Sequence, residues 1–232
     1  MLLIYFIFGT IFASFSYVVA LRLPLKQDFV KSRSQCDYCY HSLNWYDLVP
    51  IISYLMLRGK CRYCHHEISI THFLMELFGG LCLVTCHLYA RNGLVTLGLF
   101  ALITTMMIIA LIDQDYMLIP DSLIIVTTLL CLYLFVVERK NVVEQLNALL
   151  IPLMLYLMTL IHPNSFGEGD LMLLCPLCFY LGFKDSFNLL LLSSILGCLA
   201  GIKILYEDLN HDHHLPFVPM LTIGLILTIF VL

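Results

Sequence analysis

Residues 94–113 read LVTLGLFALITTMMIIALID, in which nineteen residues without a charge lead directly to the carboxylate of Asp113. A helix needs roughly 17–25 predominantly apolar residues to cross the hydrocarbon core of a bilayer, so residues 94–112 are long enough. Pro120 follows a few residues later and opens the next apolar run. The stretch therefore predicts a membrane-spanning helix that ends on Asp113.

The whole chain shares this apolar character. It is 61% hydrophobic and 12% charged, with a mean hydropathy of +0.93, whereas soluble domains carry about 25% charged residues. We predict an all-α polytopic membrane protein with roughly eight transmembrane helices. The first run is expected to be a retained helix, because no basic segment precedes it and no small-residue cleavage site follows it. The apolar runs lie near 1–21, 68–90, 94–112, 121–137, 145–161, 171–183, 187–206 and 216–232.

If successive helices cross the membrane in alternate directions, the Lys and Arg residues are unequally distributed between its two faces. The face that holds residues 22–67 receives eight of the 12 Lys and Arg residues. Because loops rich in Lys and Arg remain in the cytoplasm, residues 22–67 are predicted to be a cytoplasmic insert and both termini to lie outside. The predicted organisation is a first helix at 1–21, the insert at 22–67 and a membrane core at 68–232. The loops 113–120 and 162–170 also fall on the cytoplasmic face.

The insert carries two CxxC pairs, Cys36/Cys39 and Cys61/Cys64. Four thiolates in two such pairs can form the tetrahedron of a structural zinc site, and their separation is close to that of zinc ribbons. A reducing cytoplasm disfavours the alternative, which is a pair of disulfides. We therefore predict bound Zn²⁺ that leaves no ligand position for a substrate and serves to fold the insert.

Two acids stand at the ends of predicted membrane helices. Asp113 closes one helix, and Asp170 follows Gly167 and Gly169 in the segment FGEGD that opens another. Ionisable groups at membrane depth are costly and are functional candidates, and two carboxylates that share one proton around a water can hydrolyse a peptide bond. The two glycines are expected to permit close backbone approach and strained dihedrals. The alternative is that the acids only cap helices; we favour it for Asp115, placed in the loop, and Asp121, at a helix start.

The helix ends suggest different starting roles for the two acids. Asp113 lies at a helix C-terminus, where the partial negative charge favours its protonated form, and Asp170 lies at a helix N-terminus, which favours the carboxylate. On this hypothesis Asp113 is the first general acid and Asp170 the first general base.

Several motifs, taken in order, resemble the type IV prepilin leader peptidases along most of the chain. Any one of these short strings is weak evidence, but the ordered set is specific. The motifs are Gly9, Ser14, Phe15, Val18, Arg22 and Pro24 in the first helix; WYDLVPIISYL at 45–55 and LRGKCRYC at 57–64; LID at 111–113 with IPD at 119–121; GEGD at 167–170; and Pro216, Phe217 and Pro219 before the last helix.

The resemblance implies a fold, an activity and a substrate class. It implies catalytic aspartates at Asp113 and Asp170, supported by Pro120, Gly167 and Gly169. It also implies cleavage of the basic leader of type IV prepilins or pseudopilins after a glycine, at the cytoplasmic face of a bacterial membrane. Many members then methylate the new N-terminus with S-adenosylmethionine, and Glu76 and Gly80 belong to the region associated with methyl transfer. Met172 departs from the pattern, since the family usually has lysine two residues after the GxGD aspartate.

Two other interpretations remain open from the sequence. The acids could bind ions in a cation-coupled transporter or in a zinc-stapled membrane assembly factor, although transporters place such acids near the membrane midplane. The tract 211–214 (HDHH) resembles a metal site but is more simply a polar loop. No nucleic-acid partner is expected, because the scattered aromatic residues fit lipid contact and packing.

Overall fold

The computed structural model describes residues 1–28, 33–36, 38–90, 92–162, 166–207 and 215–231, with the backbone alone for 203–207. Helices are the regular structure of these residues, which contain isolated β-bridges but no strand, so the all-α prediction is confirmed. The tract at 211–214 lies outside them. The helices are α1 (Leu2–Arg22), α2 (Ile52–Met56), α3 (Ile70–Tyr89), α4 (Gly93–Tyr116), α5 (Asp121–Glu138), α6 (Val142–Ala148), α7 (Leu150–Ile161), α8 (Glu168–Leu181), α9 (Phe183–Glu207) and α10 (Val218–Phe230).

Six helical stretches in the described residues are long and apolar enough to cross a membrane. They are α1, α3, α4, α5, α6 and α7 taken together, and the first 20 residues of α9. All eight predicted apolar runs are helical, but α8 and α10 have only 14 and 13 residues and fall short of a full crossing. The protein is a multi-pass membrane protein.

The helix boundaries differ from the predicted ones where local chemistry intervenes. The run at 145–161 begins earlier, at Val142, and is broken between α6 and α7. Pro152 in the first turn of α7 accounts for the break, because it has no N–H to donate to the carbonyl of Ala148. At the other end of the core, α4 continues to Tyr116, so Asp115 lies in its last turn and the prediction of a loop position was wrong.

The chain divides into two compact units, the first of which is Met1–Phe100. Its framework is the pair α1 and α3, which approach closely at glycines. A Cβ at Gly80 would lie 2.7 Å from the Phe6 ring and 2.8 Å from Thr10, and Gly9 faces Gly79 across the same contact. Small residues are what allow two membrane helices to approach this closely.

The second unit, Ala101–Leu232, contains both candidate catalytic acids. Here α5 packs on α8, α9 packs on α10, and the Thr222 hydroxyl of α10 donates to the carbonyl of Met106 in α4. Below Asp113, α4 contributes fully buried side chains such as Ile109 and Ile112. The last turn of α4 therefore rises from a packed core, which fixes the position of Asp113.

Candidate active site and metal centre

The two cysteine loops of the insert fold in the same way. In each loop the N–H of the first cysteine donates to the carbonyl five residues later, from Cys36 to His41 at 3.0 Å and from Cys61 to His66 at 2.8 Å. The residue after the second cysteine has a positive φ and donates its N–H back to the first cysteine's carbonyl; these residues are Tyr40 (φ 56°) and His65 (φ 57°). The repeated turn directs both thiols of each pair to one side.

The four thiols fit a tetrahedral metal site. The Sγ atoms of Cys36, Cys39, Cys61 and Cys64 all lie within 4.8 Å of one another, and those of Cys36 and Cys64 are 3.8 Å apart. Four sulfurs at the usual Zn–S distance of about 2.3 Å would be about 3.8 Å apart. The cluster could therefore hold Zn²⁺. Two nearby imidazoles contact aromatic rings: His66 stacks on Tyr38, and His41 packs against Tyr63 with the two rings tilted by 37°.

Asp47 fastens the helical part of the insert to the second cysteine loop. Its carboxylate accepts from Arg62 Nε at 2.7 Å, from the Tyr63 hydroxyl at 3.2 Å and from the Asn44 N–H at 3.2 Å. Burial opposes ionisation of Asp47, but these hydrogen bonds and the charge of Arg62 outweigh it and lower the pKa of the carboxyl below its ordinary value of 3.8. The ionised form of Asp47 therefore stabilises the fold of the insert.

Glu76 is buried in α3, and both of its carboxylate oxygens contact donors within the protein. Its Oε1 accepts from the Ser14 hydroxyl of α1 at 2.8 Å and lies 3.2 Å from His72 Nε2, and its Oε2 accepts from the Ile51 N–H at 2.7 Å. Ile51 has a φ of 62°, in the left-handed region that costs energy for a β-branched residue. Glu76 thus ties the insert to α1 and α3, and Gly80 lies one turn further along α3 in the glycine contact with α1.

Asp113 is buried in the last turn of α4, with only 7% of its surface exposed. Its Oδ2 accepts a hydrogen bond of 3.0 Å from the backbone N–H of Val218, the first residue of α10. By contrast, Asp115 and Asp121 are exposed. The structure therefore distinguishes Asp113 from its acidic neighbours, as the sequence hypothesis did.

Asp170 lies in the first turn of α8 and is half-buried. A Cβ at Gly167 would lie 2.9 Å from its Oδ2, and a Cβ at Gly169 would lie 3.3 Å from the Ile119 side chain. The predicted close approach is seen at Gly169, which the Ile119 side chain contacts, whereas the neighbour of Gly167 is the Asp170 side chain of the same turn. The prediction of strained dihedrals was wrong at Gly167, whose φ of −67° and ψ of 136° are ordinary for any residue.

Two contacts and one chain connection link the two acids within the second unit. Asp113 is held by the start of α10, the Phe217 ring at that start packs edge-on against Phe166 at 5.8 Å, and Phe166 precedes Gly167. Asp113 is also close enough to interact electrostatically with Asp170. The site is thus two carboxylates and a helix N-terminus. The sequence pointed to Pro216, Phe217 and Pro219 but gave no role to the backbone N–H groups beside them.

Both halves of the chain match models of known protein families. Residues 7–90 match the Bacterial Peptidase A24 N-terminal domain, and residues 100–202 match the Type IV leader peptidase family. A prepilin leader peptidase/N-methyltransferase of Bacillus subtilis is 31% identical over 98% of this chain and 93% of its own length. The chain belongs to the type IV leader peptidase family.

Other relatives carry the same name. Those of Myxococcus xanthus and Burkholderia pseudomallei are 29% and 30% identical, over 86% and 90% of this chain and 62% and 70% of their own lengths. No solved structure matches. The family match ending at residue 202 includes Asp113 and Asp170 but not α10, whose first residue holds Asp113. Met172, in the place where we expected a lysine, has an exposed side chain.

Proposed function

We propose that this chain is an aspartic endopeptidase that removes the leader of type IV prepilins or pseudopilins at the cytoplasmic face of a bacterial plasma membrane. Asp113 and Asp170 are the catalytic pair. The observation that carries this assignment is the placement of Asp113, buried and hydrogen-bonded to α10, within electrostatic range of Asp170 beside the two glycines.

In the proposed reaction the pair shares one proton and holds one water. The ionised carboxylate removes a proton from the water, the water oxygen attacks the scissile carbonyl, and the protonated carboxyl donates to the carbonyl oxygen. Collapse of the tetrahedral intermediate then needs a proton on the leaving amine, which the first carboxylate now carries. The two acids exchange roles in each half of the reaction.

The hydrogen bond from Val218 bears on which acid starts ionised. The C-terminal position of Asp113 in α4 disfavours its carboxylate by roughly 0.3–1 kcal/mol, whereas a hydrogen bond to a charged acceptor contributes about 1.5–3 kcal/mol. The Val218 N–H lies at the N-terminus of α10, so the helix field there adds to the hydrogen bond. We therefore propose Asp113 as the first base and Asp170 as the first acid, the reverse of the order suggested by their own helices.

A second proposed activity is methylation of the new N-terminus with S-adenosylmethionine, in line with the names of the relatives. Glu76 and Gly80 would support methyl transfer by holding the insert, α1 and α3 in place. The carboxylate oxygens of Glu76 already accept hydrogen bonds from the protein, and Gly80 is packed against α1. The proposed metal is Zn²⁺ on the four insert cysteines, where it would hold the two loops together without entering a proteolytic step.

Cleavage of a leader-bearing prepilin by the purified protein tests the proposal. Cleavage should be lost in Asp113→Ala and in Asp170→Ala and retained in Asp115→Ala and Asp121→Ala, which remove exposed carboxylates from the same region. An inactive wild-type protein, or an active Asp113→Ala or Asp170→Ala variant, would refute it. Labelled S-adenosylmethionine in the same reaction reports methyl transfer, and elemental analysis of the purified protein reports zinc.

A further inference from the structure

The insert presents an apolar surface that is largely exposed. Trp45 and Leu48 are the first and last residues of a four-residue 3-10 helix, Trp45–Leu48, and side chains three residues apart in such a helix lie on the same side. Ile52, Leu55 and Met56 share one face of α2, at the spacing i, i+3, i+4. All five are exposed: Trp45 79%, Leu48 46%, Ile52 57%, Leu55 60% and Met56 77%. We call these five residues the apolar face of the insert.

The opposite side of α2 fixes where this face lies relative to α3. The Tyr54 ring stacks on Phe73 with centroids 5.1 Å apart, and the Ile51 N–H donates to Glu76. Glu76 is six residues beyond Ile70, the first residue of α3, so the contact is about 9 Å along that helix at 1.5 Å per residue. The insert is thus held beside the first two turns of a membrane-spanning helix.

That position coincides with the edge of the bilayer. The 20 residues of α3 make a helix about 30 Å long, which matches the hydrocarbon core, and the headgroup layers add roughly 5–8 Å on each side. A segment alongside the first two turns of α3 therefore lies within about 11 Å of the boundary between headgroups and acyl chains. Tryptophan is enriched at this depth because its ring is apolar and its N–H can reach the polar layer.

The charge of the insert complements an anionic lipid surface. Residues 22–67 contain seven Lys and Arg residues and four Asp and Glu residues. Arg58 and Lys60 follow the apolar face directly, and both are exposed. Basic residues beside apolar side chains are typical of segments that lie on the cytoplasmic leaflet, where anionic lipids concentrate. A basic prepilin leader would be repelled by the same charges.

We infer that the apolar face of the insert docks into the headgroup region of the anionic cytoplasmic leaflet, with Trp45 and Met56 inserted among the lipids. Docking holds the insert at a fixed height on the membrane, in addition to its chain connections to α1 and α3 and its contacts with Glu76 and Phe73. The inference does not rest on the peptidase activity.

Trp45 is the only tryptophan of the chain, so its fluorescence reports on this surface in the unmodified protein. The full-length, zinc-loaded protein is placed in nanodiscs at one copy per disc, with anionic lipids whose acyl chains are either plain or brominated. We expect brominated lipid to quench most of the Trp45 emission and aqueous iodide to quench little of it. Met56→Glu should abolish the lipid quenching, whereas Ser42→Glu, which adds the same charge to the insert at an exposed residue outside the apolar face, should preserve it.

Efficient quenching by iodide together with no effect of brominated lipid would overturn the inference. Two outcomes would replace it with another occupant. Shielding from iodide that appears only on adding a leader-bearing prepilin would assign the face to substrate, and shielding that appears only with two copies per disc would assign it to a second copy of the chain. Prepilin cleavage is not part of this measurement, so the peptidase proposal can fail while this inference stands.

Discussion

Replacing Val218 by proline removes the backbone N–H that donates to Asp113 Oδ2 at 3.0 Å, without changing a side chain of the proposed catalytic pair. Val218 is the first residue of α10, the position where proline is best tolerated in a helix, and the N–H it would lose bonds to Asp113. The sequence already has Pro219 at the next position. The variant Val218→Pro therefore removes the hydrogen bond at a tolerated helix position, but it also restricts Phe217, whose φ of −88° and ψ of −32° lie in the helical region that a following proline disfavours.

The magnitude follows from the bond that is lost. A hydrogen bond to a charged acceptor contributes about 1.5–3 kcal/mol, and about 1.4 kcal/mol corresponds to one pH unit of titration. Without the N–H the Asp113 carboxylate is less stabilised and takes up a proton at higher pH. If Asp113 must start ionised, the acidic limb of the pH–rate profile should move upward by about 1–2 pH units.

The assay is kcat/KM for prepilin cleavage measured across the pH range. The matched control is Val218→Ala, which shortens the same buried side chain but keeps the N–H, and its acidic limb should stay with that of the wild type. Thermal unfolding of both variants checks that they are folded. If the acidic limbs of Val218→Pro and Val218→Ala coincide, the hydrogen bond does not set the protonation of the pair and the proposed order of roles is wrong.

Three further changes test the first unit. Gly80→Ala places a Cβ 2.7 Å from the Phe6 ring and should destabilise the protein by about 1–3 kcal/mol in thermal unfolding; Gly201→Ala, with nothing within 4 Å, should not. Glu76→Gln cannot accept at both oxygens, so it should cost about 1–3 kcal/mol and lower methyl incorporation more than cleavage, both measured in one reaction. Because the pKa of Asp47 is lowered in the folded protein, its carboxylate stabilises the fold fully above the ordinary pKa of 3.8, and this stabilisation is lost as pH falls through the folded-state pKa. Asp47→Asn should therefore unfold at a lower temperature than the wild type at pH 7, and the difference should shrink below pH 4.

The features that the sequence predicted are those encoded by side chains at short spacing. The apolar runs predicted the helices because the length of a run can be read directly from consecutive residues. The four cysteines form one cluster because each CxxC pair sits in a turn of its own, and the two turns are alike. Asp113 and Asp170 were recognisable because each follows or opens an apolar run.

The features that the sequence could not predict depend on backbone groups and distant contacts. The Val218 N–H that donates to Asp113 is a main-chain group 105 residues away, and no side chain identifies it. The break between α6 and α7 was hidden because Pro152 lies within an uninterrupted apolar run, where hydropathy alone gives no boundary. The short α2 was missed because five residues are too few to show a helical period.

Asp113 and Glu76 show how the same sequence signal can mark different kinds of residue. Both are buried acids of membrane-spanning helices, and such acids are functional candidates by default. The oxygens of Glu76 are occupied by fixed donors from α1, α3 and the insert, so the group serves to join three segments. Asp113 receives its hydrogen bond from one direction, the start of α10, and a carboxylate with four acceptor positions retains capacity for a water on its other side. We therefore take the direction and number of the fixed donors, rather than burial, as the property that separates the proposed catalytic acid, Asp113, from Glu76.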